Sequence, residues 1–147
     1  MDVKSREEII KFAQKLNSTN LSPLRSGNIS LKAQNNNEDG FLITPSGKKY
    51  DSLKADDIVF VSLEGRYDEK GLQPSSEWRF HKDIYLKKTD AKAIVHAHSP
   101  HATAVSAHNK DVPAFHYMIA LAGGDNIKCA KYATFGTREL SRNILKA

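Results

Sequence analysis

The segment Ala93-Ile94-Val95-His96-Ala97-His98-Ser99-Pro100-His101 places three imidazoles within six positions, directly after an apolar run. In an extended chain successive side chains point to opposite faces, so His96 and His98 share one face while Val95 and Ala97 take the other. Two neutral imidazoles side by side can grip one divalent metal such as Zn²⁺, with further ligands arriving from elsewhere in the fold. The same pair could equally be core or surface histidines held by hydrogen bonds. His101 follows Ser99-Pro100 in the first turn of an expected helix and points off that face, so its role is read as structural. His81 and His108 fall on expected helices and read as ordinary histidines, solvated or capped; His116 carries no assignment.

Three short loops put small polar residues at the boundaries of regular elements: Gly27-Asn28-Ile29-Ser30, Thr44-Pro45-Ser46-Gly47 and Pro74-Ser75-Ser76. Each alone reads as a turn, with Pro45 and Gly47 suited to a β-turn and Gly27 to a tight start of a strand. Together they could instead converge hydroxyls, an amide and backbone N–H groups on a phosphate, with Ser75-Ser76 at a helix N-terminus. Glu77 follows in the first helical turn, where a carboxylate is ordinarily a favourable charge near the dipole's positive end. Beside a metal it could be a ligand, or a base that removes a proton α to a polarised carbonyl.

Apolar periodicity outlines the elements that must position these groups. Ile9, Ile10, Phe12, Ala13 and Leu16 recur at helical spacing, predicting an amphipathic helix over about 5–17. Runs at 28–33 and 41–44 flank Asn35-Asn36-Asn37-Glu38-Asp39-Gly40 and read as a β-hairpin with Asp39-Gly40 at its turn. A strand is expected at 57–63 and a turn at 68–71. A helix capped by Ser75 or Ser76 should run to about Asp90, with Phe80, Ile84 and Tyr85 on one face. A buried strand at 91–98, a helix opened by Ser99-Pro100 and a last helix over 136–146 complete the chain. Interleaved strands and helices with an early hairpin point to a mixed or antiparallel sheet covered by helices.

The chain has 147 residues, 39% of them hydrophobic and 27% charged, which fits one globular domain. No apolar run approaches the ~20 residues of a membrane span, and the first residues lack the apolar core of a secretory signal, so cytoplasm is the expected address. A single cysteine, Cys129, excludes an internal disulfide and a Cys-based zinc site. The net charge of +5 is dispersed, with basic runs no longer than two residues, which argues against nucleic acid as a partner.

Taken in order, GNIS, TPSG, PSSEWRFHKDIY, VHAHSPHATAVSA, HYMIALAGG and YATFGTRELS resemble the class II (zinc) aldolase/adducin family, from about residue 5 to the last residue. The resemblance implies a three-layer α/β/α fold with a central mixed, largely antiparallel sheet. It implies that His96 and His98 ligate Zn²⁺, and that Glu77 moves a proton at the nucleophilic carbon and ligates the metal before substrate arrives. Asn28, Thr44, Ser46, Gly47, Ser75 and Ser76 match the phosphate-binding positions, and Tyr117 matches the tyrosine that protonates the aldehyde oxygen. The reaction so implied is cleavage of a phosphorylated ketose, with L-fuculose 1-phosphate the expected form, to dihydroxyacetone phosphate and an aldehyde through a metal-stabilised enediolate. Glu77, where the family's epimerases are expected to carry Asp, favours an aldolase over an epimerase. The alternatives are an epimerase, dehydratase or decarboxylase on the same scaffold, or a non-catalytic adducin-like domain or truncated relic. A homotetramer, with no nucleic-acid or membrane partner, is implied as well. The family's third histidine ligand is expected on a segment beyond Ala147, so residues 1–147 read as a single domain lacking its C-terminal portion.

Overall fold

The computed structural model of the chain describes residues 3–24 and 26–147. Helix α1, Val3–Ser18, buries Ile9, Ala13 and Leu16 on one face, as their spacing of four and three residues requires. Arg6 lies on the same face and donates to the carbonyl oxygens of Ala55 (2.9 Å) and Ile58, fastening α1 to a 3-10 turn at Ala55–Asp57.

Strands β1, Asn28–Asn35, and β2, Glu38–Ile43, form the expected hairpin, but its turn differs from the sequence expectation. Asn36 and Asn37 take the two turn positions, at φ 49° and 64°. Two successive left-handed residues make the type I′ geometry that matches the twist of paired strands, and Asn tolerates it. Asp39 and Gly40 are instead paired within the ladder, opposite Gln34 and Ala33. Gly40 is needed there for space: a Cβ would lie 2.4 Å from the Val61 carbonyl oxygen and 2.5 Å from the Phe60 ring.

Strand β3, Val59–Ser62, pairs with β2, and β4, Ala93–His96, pairs with β1, giving the order β3-β2-β1-β4 with every pairing antiparallel. The sheet is covered on both faces. On one side Ile9, Ala13 and Leu16 of α1 join Ile29, Leu42, Tyr50, Leu53 and Ile58; on the other Phe41, Ile43 and Val61 pack with Tyr85 of helix α2, Trp78–Lys87. Helix α3 spans Pro100–Ser106, and α4, Arg138–Lys146, lies against α2 as an outer element. The layered helix–sheet arrangement matches the expectation. Among the described residues no helix is long and apolar enough to cross a membrane.

Element ends differ in ways the tertiary contacts explain. The helix expected from Ser75 or Ser76 has Glu77 as its N-cap. Pro74 is held in an isolated bridge with Pro45, and Ser75 N–H donates to the Thr44 carbonyl (3.0 Å), so the chain stays extended until it is past the loop. The helix closes at Lys87 rather than near Asp90, and β4 is four residues long rather than eight; lying at the sheet edge, it alternates exposed and half-buried residues instead of being buried as expected. The last helix starts at Arg138, because Gly136 sits at φ 74° and the Thr137 hydroxyl caps the Leu140 N–H at 3.1 Å.

Candidate active site

The β1–β4 register sets Asn28 directly opposite His96, at the end of the sheet from which α2 departs. Glu77, at the N-terminus of α2, reaches into the same corner. Its Oε2 accepts from Asn28 Nδ2 at 2.9 Å and lies 2.9 Å from His96 Nδ1. Asn28 Nδ2 is also 3.2 Å from His96 Nδ1, so three side chains from two strands and a helix meet at one carboxylate oxygen. His98 lies just beyond the end of β4 on the same side, its ring centroid 4.7 Å from that of His96. The expected sharing of a face is therefore present. Phe80 stands edge-on to His96 with centroids 5.4 Å apart and limits how that ring can turn.

Burial raises the Glu77 carboxyl pKa, but the hydrogen bond and charge of His96, the Asn28 amide and the charge of His98 outweigh it. Glu77 is consequently held below its ordinary value and is a carboxylate at neutral pH. His98 is pushed down, first by burial and then by the charge of His96, with Glu77 opposing, so it is a neutral imidazole with a lone pair to offer.

Behind this corner lies a feature that sequence reasoning missed. His81 is fully buried, not solvated or capped. Its Nε2 donates to Asn28 Oδ1, and its Nδ1 is 2.7 Å from Ser30 Oγ, which is 2.9 Å from the Tyr85 hydroxyl. Burial above all, with the charge of His96 adding and that of Glu77 opposing, pushes its pKa down to about 3. The only sequence signal was position: His81 sits one turn after Glu77 and one turn before Tyr85, on the α2 face that meets the sheet.

In front of Glu77 opens a pocket of about 270 Å³ lined by Gly27, Asn28, Ser46, Gly47, Lys48, Ser75, Ser76, Glu77, His98 and Phe135, among others. The three polar loops are fastened to one another there. The Pro45–Pro74 bridge joins the second and third, with Ser46 N–H donating to the Gln73 carbonyl at 2.9 Å. The Tyr50 hydroxyl donates to the Gly27 carbonyl at 2.6 Å and fixes the first. Hydroxyls of Ser46, Ser75 and Ser76, the start of α2 and the Lys48 ammonium suit a phosphate. Lys48 is itself paired with Asp57. A larger cavity of about 500 Å³ lies along β3, but its Arg66 is paired with Glu38 and Glu64 and it brings no histidine to a carboxylate.

Asn28, Ser46, Gly47, Ser75, Ser76, Glu77 and His98 all line this pocket, and His96 stands directly behind Glu77. Thr44 does not line it. It is 1% exposed and its hydroxyl accepts from the Ile29 N–H at 3.3 Å, bracing the strands behind the cradle. Tyr117 is not brought to the pocket either; it begins a 3-10 helix, Tyr117–Ala122, and is 79% exposed in a separate groove. His101 is exposed on α3, as expected, and His108 lies in the turn after that helix rather than within it. Lys48 and Phe135 are pocket residues that sequence reasoning did not nominate, and Gly27 was read only as part of a loop. Phe135 is held there because the neighbouring Gly136 packs on Ser76 so closely that a Cβ would lie 2.8 Å from the Ser76 carbonyl oxygen.

Zinc takes imidazole and carboxylate donors, and His96, His98 and Glu77 are of those types and lie together. Among the described residues, however, no group of three or more His, Cys, Asp or Glu side chains is already disposed as a metal site. Glu77 is turned onto His96 Nδ1, which leaves His96 Nε2 and the His98 ring as the imidazole donors.

Known proteins resemble the chain over nearly its whole length. The chain is 47% identical over 144 residues to L-fuculose phosphate aldolase of Escherichia coli strain K12, covering 98% of this chain and 65% of that protein. It is 44% identical over 142 residues to the 5-methylthioribulose-1-phosphate/5-deoxyribulose-1-phosphate aldolase of Rhodospirillum rubrum, covering 97% of this chain and 62% of the relative. A solved L-fuculose 1-phosphate aldolase superposes with a TM-score of 0.88 at 38% identity, over 97% of this chain and 66% of that structure. The chain thus spans somewhat less than two thirds of the length of the curated relatives it matches. Residues 7–147 match the family described as Class II Aldolase and Adducin N-terminal domain, and the chain belongs to that family.

Proposed function

We propose that the protein is a class II aldolase that cleaves a ketose 1-phosphate to dihydroxyacetone phosphate and an aldehyde, and that His96, His98 and Glu77 are its zinc-binding residues. The observation that carries this reading is the convergence of Glu77, His96 and Asn28 at one carboxylate oxygen, beside a pocket lined by four serines and two glycines. A zinc ion held there would supply Lewis-acid polarisation of the substrate carbonyl.

The chain's own groups account for the remaining work. Ser46, Gly47, Ser75, Ser76 and Asn28 hold the phosphate and so fix the reacting carbons relative to Glu77. Glu77, a carboxylate at neutral pH, takes the proton from the carbon α to the carbonyl in the condensation direction. In the cleavage direction the electron pair of the broken C–C bond stays with the phosphate-bearing fragment, and protonated Glu77 returns the proton to that carbon. Tyr117, which does not line its own chain's pocket, would give its proton to the aldehyde oxygen in the condensation direction and, as phenolate, take the corresponding hydroxyl proton in cleavage, in the site of a neighbouring copy. Its setting supports this: Phe115, Tyr117 and Leu121, close together in sequence, are all largely exposed, and exposed apolar side chains in number mark protein–protein contacts. We infer a homotetramer on that basis together with the family resemblance.

The relatives' names share a phosphorylated ketose, with position 1 named for the Rhodospirillum rubrum enzyme and the solved structure, and differ in the sugar. The residues identified in the pocket address the phosphate end, so both substrate types remain readings of the same site. The test is release of dihydroxyacetone phosphate, followed by coupled reduction, from L-fuculose 1-phosphate and from 5-deoxyribulose 1-phosphate. Release from either, lost on chelation and restored by zinc, is expected. Absence of release from both would overturn the proposal.

A further inference from the structure

The proposed function gives Asn28 and Glu77 their tasks but assigns none to His81, whose imidazole is completely buried between β1 and α2. The proton positions around it follow from the ends of its hydrogen-bonded line. A carboxylate only accepts, so the Asn28 atom facing Glu77 Oε2 at 2.9 Å is Nδ2, donating. The carboxamide therefore turns Oδ1 toward His81, and His81 Nε2 carries the proton that bonds to it. A neutral imidazole has one donor and one acceptor, so Nδ1 is bare and accepts from the Ser30 hydroxyl at 2.7 Å. Ser30 Oγ in turn accepts from the Tyr85 hydroxyl at 2.9 Å. Every link from Tyr85 to Asn28 is buried, and every bond points the same way, toward Glu77.

We propose that His81 is a positioning residue for the active site: its Nε2–H holds the Asn28 carboxamide in the one orientation that presents N–H to Glu77, while the Ser30 hydroxyl satisfies the bare Nδ1 and the Tyr85 hydroxyl satisfies Ser30. The aromatic neighbours set the ring's plane as well. Phe80 stacks on His81 with centroids 4.5 Å apart, and Phe41 lies on it at 6.4 Å. Were the amide turned over, Oδ1 would face the carboxylate, repelling Glu77 from the place where it meets both His96 and the pocket. An amide exposed to water would gain little from one orientation over the other. Here the alternative leaves two acceptors opposed in a buried corner, which is costly.

The inference rests on the proposed function only for its effect on rate, and two measurements separate them. The first is long-range ¹⁵N–¹H correlation of the histidine rings in the metal-free chain at neutral pH. His81 is expected as the Nε2–H tautomer; an Nδ1–H tautomer requires the reversed amide and overturns the proposal. The second compares His81→Phe, which keeps a flat ring but loses both bonds, with His81→Gln, whose amide nitrogen can stand where Nε2 stood. In the zinc-loaded protein His81→Phe is expected to lower kcat roughly 10- to 100-fold, with KM changed by less than about threefold. His81→Gln should recover most of that loss. Equal impairment of the two variants, or a loss carried by KM, overturns the positioning role. The NMR result needs neither metal nor substrate. A wild-type protein that cleaves no sugar phosphate would thus overturn the proposed function and leave the tautomer to decide this proposal, as it also does should His81→Phe fail to fold.

Discussion

Gly27 and Gly47 both line the pocket with left-handed backbone, at φ 82° and 74°, yet their surroundings differ. A methyl at Gly27 would lie 2.4 Å from Ser22 Oγ and 2.6 Å from the His96 carbonyl oxygen, whereas at Gly47 it would meet nothing within 4 Å. Gly47→Ala should therefore cost about 1 kcal/mol from backbone strain alone, and Gly27→Ala clearly more, about 2–4 kcal/mol, because packing strain adds to it. Urea unfolding of both variants checks this; equal costs would show that the close approach at Gly27 carries no energy. Glu77→Gln keeps the shape but removes the base, and a cleavage rate lower by roughly 10²- to 10⁴-fold is expected in the dihydroxyacetone phosphate assay. His81 makes stability depend on pH. It stays neutral in the folded chain down to about pH 3 but titrates near 6.5 once unfolded, so between these values the unfolded chain binds more protons. Its contribution is intact above about pH 6.5 and shrinks as the pH falls, by roughly 1.4 kcal/mol per unit between the two pKa values. His98, shifted in the same direction, steepens the loss. Comparing urea midpoints of the metal-free protein at pH 7.5 and 5.5 should show the decline, and His81→Gln should reduce it.

At the scale of elements, the hairpin shows why a local motif can mislead. Asp39-Gly40 has the composition of a two-residue turn, but the glycine answers a contact with β3, a strand some twenty residues further along the chain. The turn falls to Asn36-Asn37, both left-handed. Asn37→Gly should thus stabilise the protein by a few tenths to about 1 kcal/mol, since Asn-Gly is the preferred type I′ pair, and Asn37→Val should destabilise it. Thermal or urea unfolding distinguishes the two signs. Helix α1 was legible because Ile9, Ala13 and Leu16 repeat at its period and nothing distant competes for them. The start of α2 was not, because the bridge between Pro45 and Pro74, which holds the chain extended at Pro74 before it turns at Ser76 and Glu77, joins residues nearly thirty positions apart.

For the whole molecule, the separation of Tyr117 from its own pocket has a measurable consequence. If Tyr117 serves a neighbouring copy, Tyr117→Phe and Glu77→Gln proteins, each impaired alone, should regain part of the wild-type rate when dissociated together and reassembled, since some mixed sites combine an intact Glu77 with an intact Tyr117. No recovery, in a preparation shown by light scattering to contain mixed oligomers, would place Tyr117 outside catalysis. The candidate site residues were readable from the sequence because their types and spacing are local facts. Two imidazoles two apart on an extended segment share a face whatever surrounds them, and serine- and glycine-bearing loops announce turns that can face an anion. What only the tertiary structure decided is which of these groups meet. Asn28 faces Glu77 and His96 because a strand register sets it there, Thr44 is withdrawn behind the cradle, and a histidine that looked ordinary is buried against the amide it orients. Hydrogen-bond partners separated by about fifty residues depend on packing across the sheet, and no periodicity within either segment encodes that distance.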